Sequence, residues 1–518
     1  KKNLMYIDDK LIEWVKATDD IHADFVKKKF YDEILLTNPK IEKKNLDSQI
    51  NIIKEIVKTF SNKPWVTQKE ISEKFKLNKD QLLKINELIS ETDLLQNLIL
   101  KNGFAKKYWN SVIPFSNLTE KAIKNEYSFP KRIALFPGVS CMFYCGFCGR
   151  NQKAKYPLNI IDDSLEMYKK LFDDSPDYTS YSVSGGLEPL TNPKIGELVN
   201  YAKSKNIKLP IITNGYSLTE SFLEKNPGVW DADSLRISLY GVDVDSYEFI
   251  TRVKKGFKQV YNNTISFLKK RNEINKNLKF GFNFIIIPEN LHQLLQIPEL
   301  IKRINENVLN GEGVNFLTLR DDYQSVTDHS TERDTERKYR LDKSMNSEER
   351  KKLQENIFKF EELKKKLCPN LYVDYGYSLE TLFKGQADSG LTKVNGKQMR
   401  KFGFTQISVA IDLYGDVFLF REAGFLNREG NEKMIIGRIS KDKSLESIIK
   451  KFLEKNQALE FEQDDSRFMD SFDHVLTALV NQAEKDKEFD IPFNLGPIKL
   501  RKQNKKMRIG NNWYSDVT

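Results

Sequence analysis

The chain has 518 residues, 39% of them hydrophobic and 30% charged, with a formal net charge of +10 and a pI near 9.0. That length and apolar content suit one or more globular domains with a sizeable core. No apolar run approaches a membrane span, and no apolar N-terminal segment of the signal-peptide kind is present. Four cysteines in so long a chain do not make a disulfide framework, so a reducing, cytoplasmic setting is expected. The basic residues are scattered except in KLRKQNKKMR (Lys499–Arg508), which reads as a solvated tail. Neither nucleic acid nor membrane is expected as a partner.

Residues 1–128 read as a helical domain. LIEWVKA, IHADFVKKKFYDEIL, LDSQINIIKEIVKTF and QLLKINELISETDLLQNLIL place apolar residues at intervals of three and four. Thr67 with Glu70 three residues on has capping-box spacing.

The pattern changes at Pro130. Short apolar runs recur in KRIALFPGVS, YTSYSVSGG, KLPIITNG, SLRISLYG, LKFGFNFIIIP and VNFLTLRDD. Amphipathic segments such as DSLEMYKKLF and KIGELVNYAKSKN lie between several of them. Strands alternating with helices imply βαβ units and a parallel sheet, hence an α/β fold. Six strands within residues 129–323 predict a partial (β/α)6 barrel, whose strand C-termini would gather the cysteines, SGG, TNG, SLYG and LRDD on one rim.

A polar stretch at 324–350 reads as a loop or lid. Residues 351–490 read as a C-terminal α+β extension, with LYVDYGY, FTQISVAIDLYGDVFLF and KMIIGRI as strands and a hairpin turn at Gly415. FMDSFDHVLTALVNQAEKD is helical, and 491–518 forms the basic tail.

Three of the four cysteines, Cys141, Cys145 and Cys148, fall in CMFYCGFCGR. Three thiolates from one loop can bind zinc or an iron–sulfur cluster. A closed zinc site needs a fourth ligand, usually from a second CxxC pair, and none is present. A cluster held by three cysteines keeps one iron open for chemistry. Cys368 is alone in LKKKLCPN and reads as a buried, inert thiol.

CxxxCxxC after the first strand of a β/α chain resembles the signature of the radical S-adenosylmethionine (radical SAM) superfamily. The resemblance implies one 4Fe–4S cluster on Cys141, Cys145 and Cys148, with S-adenosyl-L-methionine as cosubstrate. SGGLEP, with Ser184, Gly185, Gly186 and Glu188, is similar to the motif that meets the amino group of the bound methionine. Phe147 matches the position whose backbone meets the adenine. Thr213, Asn214 and Ser238 end the third and fourth strands and are candidate cosubstrate contacts, and Arg252 is a candidate for its carboxylate.

YWNSVIP (Tyr108–Pro114), FPGVSCMFYCGFCGR, SGGLEPLTNP, RISLYG, LRDDY, DYGYSL, DLYGDVFLFREAGF and FMDSFDHVLTALVNQ together resemble a narrower family. These are the radical SAM ammonia-lyases of deoxysugar biosynthesis, which act on dTDP-linked amino-deoxysugars. The likeness spans roughly 100–485. It implies removal of the hydrogen on carbon 3 of a dTDP-4-amino-4,6-dideoxyhexose, loss of ammonia and a 3-keto-4,6-dideoxy product. It also implies an electron donor such as flavodoxin or ferredoxin.

Arg421 and Glu422 are the catalytic candidates, since arginine forks onto phosphate and glutamate pairs an ammonium. Arg320, Asp321, Asp322 and Tyr323 after the sixth strand, and Asp374, Tyr375 and Tyr377 in DYGYSL, are candidate substrate contacts. A radical SAM dehydrogenase or dehydratase acting on another nucleotide sugar shares every cluster residue and is the alternative. A zinc-bearing or nucleic-acid-binding module would need a fourth ligand or a clustered basic face, and the chain shows neither. His22, His292, His329 and His474 match no acid–base constellation.

Overall fold

The computed structural model describes residues 52, 68–82, 84–85, 116–146, 148–150, 153–274, 276–308, 311–321, 347–375, 379, 394–454 and 459–485. Thr67, Phe147, Asp322, Tyr323, Tyr377, the polar stretch as far as residue 346 and the basic tail lie outside them, and only the backbone of Asp321 is described. The chain divides into two compact units. One comprises residues 1–123, 380–390 and 479–515, and holds α1 (Gln68–Phe75) and nearly all of α2 (Ser116–Lys124).

The other unit, residues 124–379, 391–478 and 516–518, is organised by one ten-stranded sheet. Seven strands lie side by side in chain order: β1 (Arg132–Phe136), β2 (Ser180–Val183), β3 (Pro210–Thr213), β4 (Ser234–Ser238), β5 (Lys279–Ile286), β6 (Phe316–Asp321) and β7 (Tyr372–Tyr375). All six pairings among them are parallel. The crossovers carry α3 (Ile161–Asp173), α4 (Ile195–Ser204), α5 (Glu220–Lys225), α6 (Val244–Thr251), α7 (Gly256–Glu273), α8 (Ile297–Asn307) and α9 (Ser347–Leu367). Strands that follow one another without a reversal of order put every strand C-terminus on the same edge, as in a β/α barrel.

The local reasons are visible in burial. Every residue of β1 and β4 is buried, as parallel strands covered on both faces require. α8 buries Ile297, Leu300, Ile301 and Ile304, one stripe at spacings of three and four. Each such side chain contributes about 1.5–3 kcal/mol on burial.

The sheet continues past the six strands expected for the barrel, taking in strands expected in the C-terminal extension. Tyr372–Tyr375 adds a seventh parallel strand, with Thr318 opposite Asp374. On the far side, β8 (Ser408–Asp412) pairs parallel with β1, Arg132 opposite Ser408. β9 (Asp416–Phe418) and β10 (Ile435–Arg438) complete that edge antiparallel. The turn between β8 and β9 has Gly415 at φ +83°, at the expected hairpin position. α10 (Leu445–Glu454) and α11 (Ser471–Lys485) follow.

Candidate active site

The loop after β1 carries the three cysteines, none of them in a disulfide, with Cys145 buried and Cys141 and Cys148 partly exposed. It is braced from outside by the end of α6: Tyr144 N donates to Thr251 O (2.9 Å) and Gly146 N to Ile250 O (3.1 Å). On the other side the loop after β2 holds it. Glu188 N donates to Ser140 O (2.9 Å), Val139 N and Ser140 N donate to Thr191 Oγ1 (3.0 and 3.1 Å), and Asn192 Nδ2 donates to Pro137 O (2.9 Å).

Two glycines after β2 let neighbouring elements approach this loop closely. Gly185 has φ +121°, and a Cβ there would lie 2.1 Å from the Phe136 ring. A Cβ on Gly186 would lie 2.8 Å from the ring of Phe425. Only glycine fits both positions.

Glu188 is buried and both oxygens of its carboxylate accept hydrogen bonds. Oε1 accepts from Leu190 N (3.1 Å) and Thr213 Oγ1 (2.5 Å), and Oε2 accepts from Asn214 N (2.7 Å). Burial raises its pKa above the ordinary glutamate value while these donors oppose the rise. Glu188 thus ties the β2 loop to the end of β3. Asn214 Nδ2 points at sulfur, 3.2 Å from Met142 Sδ and 3.8 Å from Cys141 Sγ.

Arg150 is the electrostatic partner of the cysteine loop. It is buried, donates to Phe143 O, and lies within the field of all three thiols. Burial disfavours its charge, but Cys148, Cys141 and Cys145 together hold its pKa above the ordinary value. Burial pushes the Cys141 thiol up to about 11, with Arg150 acting against the rise. A metal binding at Cys141 must therefore displace its proton.

Among the described residues, no three His, Cys, Asp or Glu side chains converge where a single ion could sit. An iron–sulfur cluster, which takes each thiolate on a different iron, does not ask for that convergence. One loop with three thiols outside any disulfide, beside a buried guanidinium, fits an anionic cluster.

The opposite wall comes from the turn after β9. Arg421 Nη2 donates to Ser184 Oγ, its Nη1 lies 3.6 Å from Asp470 Oδ2, and its backbone N donates to Asp473 Oδ2 (2.9 Å). Burial, then Asp470, raises the pKa of Asp473, against the pull of Arg421. Glu422 is buried against Arg428, with Nη1 to Oε2 at 3.0 Å and side-chain exposures of 8% and 1%. Arg428 also donates to Glu422 O (3.0 Å) and Arg467 O (2.9 Å), and lies over the rings of Phe425 and Phe468.

These walls enclose one cavity of about 250 Å³. Of the residues singled out in the sequence, Cys141, Cys145, Cys148, Ser184, Gly185, Gly186, Glu188, Thr213, Asn214, Ser238, Arg320, Arg421 and Glu422 line it. Arg252 does not. α6 ends at Thr251, and Arg252 takes the left-handed cap at φ 61°, exposed, with its guanidinium over Phe249. Asp374 and Tyr375 do not line it either: they sit on the outermost parallel strand, and the Tyr375 hydroxyl bonds to Glu361 of α9.

Sequence reasoning missed Arg150, Arg236, Tyr240, Asn283, Phe425 and Asp470, which also line the cavity. Arg236 and Asn283 lie inside strands, where an apolar run masks them. Cys368 is buried, with Sγ 3.3 Å from Pro298 O. His474 is buried as well, and its Nδ1 accepts from Val394 N.

Residues 135–301 match the Radical SAM superfamily. Over 432 residues the chain is 33% identical to dTDP-4-amino-4,6-dideoxy-D-glucose ammonia-lyase of Streptomyces venezuelae, covering 82% of this chain and 86% of that one. Among solved structures it is similar to Streptococcus suis SuiB bound to precursor peptide SuiA, at 16% identity and a TM-score of 0.42, over 74% of this chain and 78% of that one. It is also similar to BtrN in complex with AdoMet and 2-DOIA, at 11% identity and a TM-score of 0.27, over 64% and 84% of the two chains. With its cysteine loop, its parallel sheet and a relative matched along most of both lengths, the chain is an enzyme of the radical SAM superfamily and belongs to the family of dTDP-4-amino-4,6-dideoxy-D-glucose ammonia-lyase.

Proposed function

We propose that the protein removes the carbon 3 hydrogen of a dTDP-4-amino-4,6-dideoxyhexose and expels the carbon 4 amine as ammonia, giving a 3-keto-4,6-dideoxy sugar nucleotide. The likeness over 432 residues carries this reading, because an alignment of that length includes both the cysteine loop and Arg421–Glu422. Cys141, Cys145 and Cys148 would hold one 4Fe–4S cluster. The SGGLEP loop, Phe147, Thr213, Asn214 and Ser238 would receive S-adenosyl-L-methionine. Cluster and cosubstrate together supply the one-electron cleavage that yields a carbon radical able to take hydrogen. A small carrier such as flavodoxin or ferredoxin would bring the electrons.

The chain's own residues then have three tasks. The glycines of the SGG turn let the cavity walls close around the ligands, so that carbon 3 is held near the reacting centre. Arg421, with Arg320 of β6 and with Asp321 and Tyr323 after it in sequence, would bind the nucleotide sugar, the guanidinium groups offering forks to its phosphates. Glu422, held by Arg428, would keep a carboxylate beside the departing amine and handle its proton. Overall the sugar loses one hydrogen atom and ammonia, and regains one electron and one proton.

The test is anaerobic turnover of the cluster-loaded protein with reductant, S-adenosylmethionine and dTDP-4-amino-4,6-dideoxyglucose deuterated at carbon 3. Ammonium together with deuterated 5′-deoxyadenosine supports the proposal. Deuterated 5′-deoxyadenosine with an oxidised sugar that keeps its amine makes the enzyme a dehydrogenase. Unlabelled 5′-deoxyadenosine without ammonium moves the substrate to another nucleotide sugar.

A further inference from the structure

Asn283 is the fifth residue of β5, in the middle of an otherwise apolar run, and is 2% exposed. It is in register with Ser238 of β4 and Thr318 of β6. Paired residues of neighbouring strands share a face, and both Ser238 and Asn283 line the cavity. Its backbone is used, since Leu239 N donates to Asn283 O (2.8 Å). Its side-chain Oδ1 is enclosed and has no hydrogen-bond partner.

Other buried amides of this unit are put to use. Asn290 accepts from Ile287 N (2.9 Å) and donates to Ile285 O (2.8 Å), and Asn263 donates to Gly215 O (3.0 Å) and Tyr216 O (2.9 Å). A buried acceptor left without a donor costs about 1–3 kcal/mol, and a ligand that supplies the donor recovers it.

The surroundings restrict that donor. Arg236, opposite Gly281, and Arg320, opposite Ile285, flank Asn283 on the two neighbouring strands, and both line the cavity. Two guanidinium groups repel a cationic donor and tolerate a neutral one. A hydroxyl meets the requirement, and an ammonium does not.

We propose that Asn283 Oδ1 accepts a hydrogen bond from a sugar hydroxyl of a ligand in this cavity and so acts as a specificity-determining residue. The inference rests on the function proposed above, which brings two hydroxyl-bearing sugars here, the ribose of S-adenosylmethionine and the hexose of the nucleotide sugar. Equilibrium dialysis on anaerobic, cluster-loaded protein separates them. Affinity is measured for S-adenosylmethionine alone, then for dTDP-4-amino-4,6-dideoxyglucose with S-adenosylmethionine present, in wild type, Asn283→Leu and Asn283→Asp.

Asn283→Leu is expected to weaken one of the two ligands by about 10–100-fold, and the ligand affected identifies the sugar. Asn283→Asp keeps an acceptor between the two arginines and is expected to stay within about tenfold of wild type. Should Asn283→Leu fold poorly by circular dichroism, Asn283→Ala replaces it. Unchanged affinity for both ligands in the leucine or alanine variant overturns the role of Asn283 and leaves the enzyme's function standing. Wild-type protein that binds neither ligand overturns both.

Discussion

The two walls of the cavity are built differently. The wall formed by the loops after β1, β2 and β3 is held by short hydrogen bonds between neighbouring loops: Thr191 to the cysteine loop, Asn192 to Pro137, and Glu188 to Thr213 and Asn214. The wall after β9 is held by charged groups: Glu422 buried against Arg428, and half-buried Arg421 beside half-buried Asp470 and buried Asp473. The first arrangement suits a loop that must present sulfur at fixed places. The second suits a place where charge must be received from a substrate, because a low-dielectric pair strengthens every further electrostatic contact.

The largest effect that would test this contrast is on the first wall. Cys145→Ala is expected to abolish 5′-deoxyadenosine formation and cluster loading while far-ultraviolet circular dichroism stays unchanged, because the sheet does not depend on that thiol. An active, cluster-loaded variant would remove the cysteine loop from the chemistry.

On the second wall the order of damage reverses, with the fold suffering before the chemistry. Arg428→Met strands the Glu422 carboxylate in a buried site, and removing one partner of such a pair destabilises by about 3–5 kcal/mol. Glu422→Gln leaves a neutral group that still accepts from Arg428. The buried guanidinium of Arg428 then loses its counter-charge but keeps its hydrogen bonds, so the variant should be destabilised less than Arg428→Met, keep its cluster and lose most of its turnover. An Arg428→Met variant that melts with wild type would show that the pair does not hold this wall.

The same contrast explains what could be read from the sequence. β1 to β6 and their loops were legible because each strand is a local apolar run and each loop follows it directly. SGGLEP and CxxxCxxC were legible for the same reason, each being a single short segment. β8 was seen as a strand, but not as the neighbour of β1, because Arg132 opposite Ser408 is a pairing no local pattern encodes. Arg428 is only six residues from Glu422, yet nothing in FREAGFLNREG says that it turns back to make the pair. Asn283 was hidden because one polar residue inside FGFNFII does not disturb the strand pattern.

The hairpin that leads to the second wall carries its own pH dependence. Asp412, at the end of β8, accepts from the Tyr156 hydroxyl (2.8 Å) and from the backbone N–H groups of Tyr414 (3.0 Å) and Asp416 (2.9 Å). Burial, then the charge of Asp416, pushes its pKa up to about 7 against these donors. The folded protein therefore holds the Asp412 proton more tightly than the unfolded chain does. Stability contributed by that proton is lost as pH rises from near 4 to near 7, and is flat above. Asp412→Asn keeps the neutral form and is expected to flatten that slope, gaining on the order of 2–4 kcal/mol at the neutral end. Urea melts at pH 5 and pH 8 measure it, and a variant whose slope matches wild type would assign the pH dependence elsewhere.

The smallest effect falls on a residue outside both walls. Arg252 ends α6 with φ 61°, which an L-residue adopts at a cost of about 1–2 kcal/mol. Its guanidinium sits 4.9 Å from the centre of the exposed Phe249 ring, an interaction of about 0.5–1 kcal/mol at such a site. Arg252→Ala loses the ring contact and keeps the strain, so it should destabilise by about that amount. Arg252→Gly loses the contact and relieves the strain, so it should melt at or slightly above wild type. Neither should change the affinity for S-adenosylmethionine by more than about twofold, because the residue caps a helix and does not line the cavity. A tenfold loss of that affinity in Arg252→Gly, with the fold intact, would bring Arg252 into the first wall. It would then mean that the loop between α6 and α7 closes onto the cosubstrate when it binds.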